Sequence, residues 1–209
     1  MPNLNNLIDG YHRFRDTDWA RERDRWAKLK DGQSPGVMII SCSDSRVDPS
    51  QIFDTSPGEI FVVRNVANLV PPFETDGSRH GVSAALEFAV TQLEVNEIVV
   101  MGHGACGGAK AALSKAFDGC APGEGGFIAH WVDLLADARE RIIAEYGDGP
   151  EAVHAMELEA VRVSIANLRT FPFITPREAD GRLKIRGAYF AIADGVLHVM
   201  DDKGDFSPA

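Results

Sequence analysis

The fold is decided by residues 37–46, which read Val-Met-Ile-Ile-Ser-Cys-Ser-Asp-Ser-Arg. The first four form a short, continuous apolar run, which is typical of a buried parallel strand. Similar runs lie at 60–63 and 97–101, and apolar residues with helical spacing cover 79–93. This alternation predicts an α/β fold, with a mostly parallel central sheet and helices on both faces.

The rest of the chain extends this pattern. Residues 183–192 predict a strand that turns at Asp194-Gly195 into an antiparallel edge strand at 196–199. The helical spacing predicts three further helices, at 108–117, 127–146 and 151–169.

The N-terminal residues form a segment of their own. Residues 4–30 read as a highly charged helix with sparse aromatic residues. We expect a single domain at 1–209, made of an N-terminal helical arm at 1–31 and an α/β core at 33–209. Two interpretations of the arm stay open: it lies across a partner subunit, or it packs on its own domain.

Composition limits the classes of function. The chain has 209 residues, 44% of them hydrophobic, and a net charge of −10, which together indicate a folded, acidic protein. An acidic surface repels phosphates and disfavours nucleic acid as a partner, so a small-molecule substrate is expected. Three cysteines argue against a disulfide framework and for a reducing compartment. No secretory signal or membrane span is visible, so we expect a cytoplasmic protein with no membrane partner.

Residues with metal-ligand chemistry follow two of the strands. Cys42 and His103 each come directly after an apolar run, and Cys106 lies three residues past His103. Ligands in parallel sheets gather beyond the carboxyl ends of strands, so these side chains meet if the strands are neighbours. Asp44 suits either direct coordination or contact with the fourth ligand, and Arg46 suits an ion pair with Asp44. The set predicts a zinc site with one position left for water.

Two other interpretations of these motifs are disfavoured. Gly102-x-Gly104-x-x-Gly107 matches a dinucleotide fingerprint, but the expected second strand is replaced by a loop rich in glycine. We interpret these glycines as backbone space around a metal ligand. A thiol redox role is disfavoured because Cys42 and Cys106 lack the Cys-x-x-Cys pattern.

At these motifs the chain resembles a β-class carbonic anhydrase. The resemblance rests on Cys-Ser-Asp-Ser-Arg-Val at 42–47, Val-Arg-Asn-Val-Ala-Asn at 63–68 and Gly-His-Gly-Ala-Cys-Gly-Gly at 102–108. It implies reversible hydration of CO₂ to bicarbonate and a proton by attack of a zinc-bound hydroxide. It also implies one Zn²⁺ per chain, held by Cys42 and by the pair His103 and Cys106, and a homodimer or dimer of dimers.

The resemblance is to the plant-like branch of the family. Gln33 lies nine residues before Cys42, where that branch carries a glutamine that contacts the substrate. Ile39 replaces the tryptophan typical of the branch with a regulatory bicarbonate pocket. Phe88 replaces a tyrosine that is common in the plant-like branch, so no hydroxyl is available there.

The resemblance also implies roles for the residues around the metal. Asp44 accepts a hydrogen bond from the hydroxide, and Arg46 holds Asp44 ionised and away from the metal. If their pair breaks, Asp44 becomes the fourth ligand and closes the site. The implied substrate site has an apolar wall formed by Phe61, Val66 and Phe88. Two hydrogen-bond donors for the bicarbonate oxygens are implied beside it, the side-chain amide of Gln33 and the backbone N–H of Gly107.

Two alternatives stay open. In the first, the chain is a zinc hydrolase of the same fold that acts on another small linear molecule, such as carbon disulfide. In the second, it is a non-catalytic, zinc-stabilised binding protein in which Asp44 stays on the metal permanently. Arg64 and Asn65 are interpreted as ties within a loop or a dimer interface, outside the catalytic set.

Overall fold

The protein is described here by a computed structural model that covers residues 2–77 and 79–209. Met1 and Ser78, which the predicted single domain of 1–209 includes, lie outside the described residues. The chain forms two compact units, Met1–Ser34 and Pro35–Ala209.

The N-terminal unit is helical. Helix α1 spans Leu4–Phe14, a π-helical turn follows at Arg15–Trp19, and helix α2 spans Arg23–Leu29. The single helix predicted at 4–30 is therefore interrupted. Asn3 caps α1, because its side chain accepts a hydrogen bond from the backbone N–H of Asn6.

The described part of the C-terminal unit contains a six-stranded sheet in the order β2-β1-β3-β4-β5-β6. The first four of these pair in parallel, and β5 and β6 continue the sheet in antiparallel pairing. The predicted fold class is confirmed, with the hairpin at the expected place. The strands are β1 (Val37–Cys42), β2 (Ile60–Asn65), β3 (Glu97–His103), β4 (Lys184–Ala191), β5 (Val196–Met200) and β6 (Phe206–Pro208).

Helices connect and cover the strands. Asp48 caps the short α3 with its side chain, and Pro49 occupies the first helical position, where its missing N–H costs nothing. Short 3₁₀ helices lie at Val66–Asn68 and Asp133–Leu135. The α-helices are α3 (Pro49–Ile52), α4 (Gly81–Thr91), α5 (Gly107–Ser114), α6 (Gly126–Val132), α7 (Ala136–Tyr146), α8 (Pro150–Leu168) and α9 (Thr175–Ala179). None of the helices among the described residues is long and apolar enough to cross a membrane.

The core lies on both faces of the sheet. On one face Met38 and Ile40 of β1 pack in a fully buried cluster with Leu86 of α4 and Leu168 of α8. On the other face the alternate residue, Ile39, packs in a separate cluster with strand neighbours. Strand β1 is therefore buried on both sides, as its continuous apolar run predicts.

Candidate metal centre

Two neighbouring strands bring the two sequence motifs to one edge of the sheet. Strands β1 and β3 pair in parallel, with Ser41 opposite Met101. Cys42 is the last residue of β1 and His103 the last of β3. Parallel strands present their carboxyl ends at the same edge, so both side chains are delivered to one place.

Cys106 completes a cluster at this edge. The sulfurs of Cys42 and Cys106 and a ring nitrogen of His103 all lie within 4.8 Å of one another. All three residues are buried, and His103 is only 1% exposed. The backbone between His103 and Cys106 turns at Ala105, whose φ is 54°. This turn brings the start of α5 back toward β1.

The imidazole of His103 is oriented for ligation. Its Nδ1 lies 2.9 Å from the carbonyl oxygen of Gly104, to which it donates when Nδ1 carries the proton. That hydrogen bond selects the tautomer whose lone pair is on Nε2. Nε2 is buried and makes no hydrogen bond of normal geometry with a described residue, although the Cys42 sulfur is close. A buried ring nitrogen without a partner, beside two thiols, fits a metal ion.

The two thiols are electrostatically linked. The neighbouring Cys106 thiol lowers the pKa of Cys42, against the opposing effect of burial. The same contact raises the pKa of Cys106, and burial raises it further. Burial alone would lower the pKa of His103, but the nearby Cys42 sulfur and the Gly104 carbonyl raise it. A divalent cation allows both thiols to ionise, because metal ligation deprotonates a thiol outright.

Asp44 and Arg46 form a tight ion pair beside the cluster. Both carboxylate oxygens of Asp44 accept hydrogen bonds from Arg46, and Nη2 lies 2.7 Å from Oδ2. This contact with Arg46 holds the pKa of the Asp44 carboxyl well below its usual range. The same Nη2 also donates to the carbonyl oxygen of Ala105 at 3.1 Å, so Arg46 connects the two motifs.

Arg64 ties together the loop that follows β1. Its Nε donates to the carbonyl oxygen of Cys42, and its Nη2 donates to that of Asp44 at 2.6 Å. Its Nη1 donates to the carboxylate of Asp48 at 2.9 Å. One side chain therefore fixes the loop that carries Cys42 and Asp44, as the loop-tie interpretation expected.

Asn65 also acts as a tie. Its side chain exchanges two hydrogen bonds with the backbone of Leu69, at 2.8 and 2.9 Å. The enclosed 3₁₀ turn contains Ala67 and Asn68, both with positive φ. This turn packs so closely on α5 that a Cβ added to Gly108 would lie 2.8 Å from Ala67 Cβ.

The glycines of the second motif are only partly explained by backbone space. A Cβ on Gly102 would lie 2.8 Å from Val161 of α8, and one on Gly104 would lie 3.1 Å from the Tyr189 hydroxyl. At Gly107, by contrast, an added Cβ would meet nothing within 4 Å. Close packing therefore accounts for glycine at Gly102 and Gly104, whereas Gly107 faces open space, and its interpretation as space around a metal ligand stays a prediction.

The residues expected to line the substrate site lie on different elements. Phe61 of β2 and Phe88 of α4 contact each other, with ring centroids 6.0 Å apart. Val66 is 41% exposed in its 3₁₀ turn and packs beside Gly108. Gln33 is an exposed residue of the N-terminal unit, and its role in the substrate site stays a prediction.

The fold and this cluster define a class: α/β proteins with a Cys₂His group that could hold a metal ion. The family described as carbonic anhydrase matches residues 37–197 of the chain. The chain is 36% identical to β-carbonic anhydrase 3 of Arabidopsis thaliana over 209 residues, which cover 99% of this chain and 80% of that protein.

Solved structures agree with this assignment. The β-carbonic anhydrase CcaA superposes with a TM-score of 0.90 at 31% identity, covering 99% of this chain and 92% of that one. A structure from a study of two tetrameric β-carbonic anhydrases of Sordaria macrospora superposes with a TM-score of 0.80 at 29% identity, covering 98% of each chain.

The chain belongs to the β-carbonic anhydrase family. The resemblance noted in the sequence is confirmed, and so is the prediction that the protein is an enzyme of this class. The family assignment implies hydration of CO₂ as the reaction.

Proposed function

We propose that the protein holds one Zn²⁺ per chain through Cys42, His103 and Cys106 and catalyses the reversible hydration of CO₂ to bicarbonate and a proton. The observation that carries this proposal is the buried Cys₂His cluster at the ends of two parallel strands in a member of this family. Sulfur and imidazole nitrogen are preferred zinc ligands, and three of them leave a fourth position open. When bound, zinc supplies an activated water as the nucleophile near neutral pH.

Asp44 and Arg46 serve the nucleophile. Arg46 keeps Asp44 ionised, so the carboxylate is available to accept a hydrogen bond from the O–H of the nucleophile and to orient the attacking oxygen. The two carboxylate oxygens are turned toward Arg46, which supports a site where Asp44 is not a permanent ligand. Breaking the pair frees Asp44 to become the fourth ligand and close the site.

The substrate site combines an apolar wall with backbone polarity. Phe61, Phe88 and Val66 offer apolar surface to CO₂, which is small and has no net dipole. Gly107 begins α5, and the first N–H groups of a helix lack partners in their own helix. The Gly107 N–H is therefore suited to stabilise the developing bicarbonate oxygen. The resemblance alone assigns a second such donor to the Gln33 amide.

The assembly proposed for the enzyme is a homodimer or a dimer of dimers, in the cytoplasm. Helix α1 supports an interface, because its apolar residues are exposed, Leu4 at 70% and Leu7 at 65%. The Sordaria macrospora relatives are described as tetrameric.

The test measures CO₂ hydration by stopped flow across pH, with zinc content determined on the same sample. Cys106→Ser is expected to lose most of its zinc and its activity, whereas Cys120→Ser keeps both, since Cys120 lies outside the cluster. A folded wild type with about one zinc per chain and no CO₂ hydration at high pH contradicts the proposal. Hydrolysis of carbon disulfide by that sample would assign the alternative substrate.

A further inference from the structure

A buried carboxylate contacts the backbone of the proposed ligand Cys106. Glu157 of α8 is 4% exposed, although glutamate is rarely buried without strong partners. Its Oε1 accepts a hydrogen bond from the Cys106 N–H at 3.0 Å. Its Oε2 accepts a hydrogen bond from the Tyr189 hydroxyl at 2.9 Å. Both oxygens are thus engaged by groups that belong to, or surround, the cluster.

The Cys106 N–H is a donor for which the helix provides no acceptor. Cys106 is the residue before α5, with φ of −71° and ψ of 118°, and its own side chain makes no cap. An N–H at this position needs an acceptor from elsewhere in the fold, and Glu157 supplies it from 51 residues away. The carboxylate therefore fixes the peptide that carries the Cys106 sulfur and leads into Gly107.

Tyr189 holds Glu157 in place. It lies on β4 opposite Gly102 of β3, and its hydroxyl also contacts His154 Nδ1 at 3.2 Å. An added Cβ at Gly104 would lie only 3.1 Å from this hydroxyl, so Gly104 leaves the space that the hydroxyl occupies. Burial and the nearby Glu157 raise the pKa of Tyr189, so the hydroxyl stays protonated and remains a donor.

The contact lies at the wall of a cavity. A cavity of about 630 Å³ is lined here by Cys106, Gly107, His154 and Glu157, together with Lys110 of α5. Removing the carboxylate would leave the Cys106 N–H and the Tyr189 hydroxyl without their partner, next to a space that water can enter. Because unsatisfied buried donors are unfavourable, the peptide of Cys106 would shift to find new partners and would change the geometry of the cluster.

We propose that Glu157 is a positioning residue for the metal centre, which acts through the Cys106 backbone and is anchored by Tyr189. The inference rests on the proposed function, since it assigns Cys106 as a ligand. Partners beyond the ligands orient them, and their loss usually costs 10- to 100-fold in metal affinity or activity.

The experiment compares Glu157→Met with Glu157→Gln. Methionine fills a similar volume but offers only a weakly accepting sulfur, whereas the glutamine oxygen can still accept a hydrogen bond from the Cys106 N–H. The matched control is Glu159→Met, two residues along α8, where the carboxylate pairs with Arg141 and Arg162. Each variant is loaded with Co²⁺, and its visible and thiolate charge-transfer absorption is recorded beside kcat and KM for CO₂ hydration by the zinc form.

We expect Glu157→Met to shift the cobalt absorption and to lower kcat by about 10- to 100-fold. Glu157→Gln should retain the wild-type absorption and most of kcat, and Glu159→Met should resemble the wild type in both. A wild-type cobalt spectrum and kcat in Glu157→Met overturn the proposal. So does a loss of kcat in Glu157→Met with an unchanged spectrum, because the ligand geometry would then be intact.

Tyr189→Phe keeps the proposal falsifiable if Glu157→Met does not fold. Phenylalanine preserves the ring and removes the hydroxyl that donates to Glu157 and contacts His154, so the cobalt spectrum should shift in the same direction by a smaller amount. An unchanged spectrum and kcat in Tyr189→Phe would then overturn the proposed anchoring. A failure of the proposed function is distinct, because the wild type itself would bind no zinc or hydrate no CO₂.

Discussion

Asp44 depends on Arg46 for its charge and its direction. The guanidinium donates to both carboxylate oxygens and keeps the pKa of Asp44 far below the pH at which the enzyme would work. Asp44 therefore stays ionised through the neutral range, and any rise of activity with pH there must come from another group. Its role as acceptor rests on this fixed charge.

Replacing Asp44 by Asn tests that role. We expect turnover to fall by about 10- to 100-fold while most of the zinc is retained, because the ligands are untouched and only the acceptor changes. Stopped-flow CO₂ hydration and metal analysis of the same sample measure both effects. Asp54→Asn is the control: it removes the same charge from an exposed residue, and Asn tolerates the positive φ of 48° found there. Full turnover in Asp44→Asn would refute the acceptor role.

Single residues differ in how readily a sequence reveals them. Cys42 and His103 could be predicted as neighbours because each ends a recognisable strand, and strand ends share an edge. Arg64 was recognised only as a tie, since its three acceptors are two carbonyls and a carboxylate that meet only in the fold. Glu157 had no sequence signal, because its partner is a backbone N–H distant in the chain.

At the scale of elements, the metal centre depends on the contact between the 3₁₀ turn at Val66–Asn68 and the first turn of α5. Gly108 lies against this turn with no space for a side chain, whereas Gly107, its neighbour, faces open space. The two adjacent glycines thus provide a matched pair for testing the contact.

We expect Gly108→Ala to destabilise the zinc-loaded protein by about 1–3 kcal/mol, because the new methyl group overlaps Ala67 and Val66. Gly107→Ala should change the free energy of unfolding by no more than about 0.5 kcal/mol. Urea unfolding followed by circular dichroism measures both. Equal stabilities of the two variants would mean that the turn moves away easily and does not constrain α5.

Elements were predicted where the apolar pattern was strong and missed where it was weak. Strands β1, β2 and β3 follow from uninterrupted apolar runs. The single helix predicted at 127–146 is wrong, because a 3₁₀ turn at Asp133–Leu135 divides it although the apolar spacing continues. Strand β6 was missed because its three residues carry no alternation and include a proline.

For the molecule as a whole, metal binding should depend on pH in a defined direction. The pKa of Cys106 is raised, and this thiol must release its proton when it binds the metal. His103, whose pKa is also raised, must be neutral. Zinc retention should therefore fall as the pH falls from about 8 to about 5. Zinc content after dialysis against a competing chelator at each pH measures this, and constant retention would contradict the assignment.

The N-terminal unit tests the proposed assembly. Every residue of α1 is at least partly exposed, and Leu7 lies on its apolar side with Tyr11. We expect Leu7→Glu to lower the molar mass in solution toward that of one chain, because a charge would be buried in the interface. Asn5→Glu adds the same charge away from the apolar side and should leave the mass unchanged. Light scattering after size-exclusion chromatography decides, and an undisturbed oligomer in Leu7→Glu would exclude α1 from the interface.

The ligand positions along the chain have a consequence for folding. Cys42 and His103 enclose the segment that contains β2 and α4, so a metal shared between them closes a long loop as a covalent cross-link would. Loss of the ion would open this loop and remove the constraint on the whole segment at once. The backbone amides of β2 and α4 should then exchange with solvent deuterium together, as one cooperative opening, while the hairpin of β4 and β5 outside the loop keeps its protection.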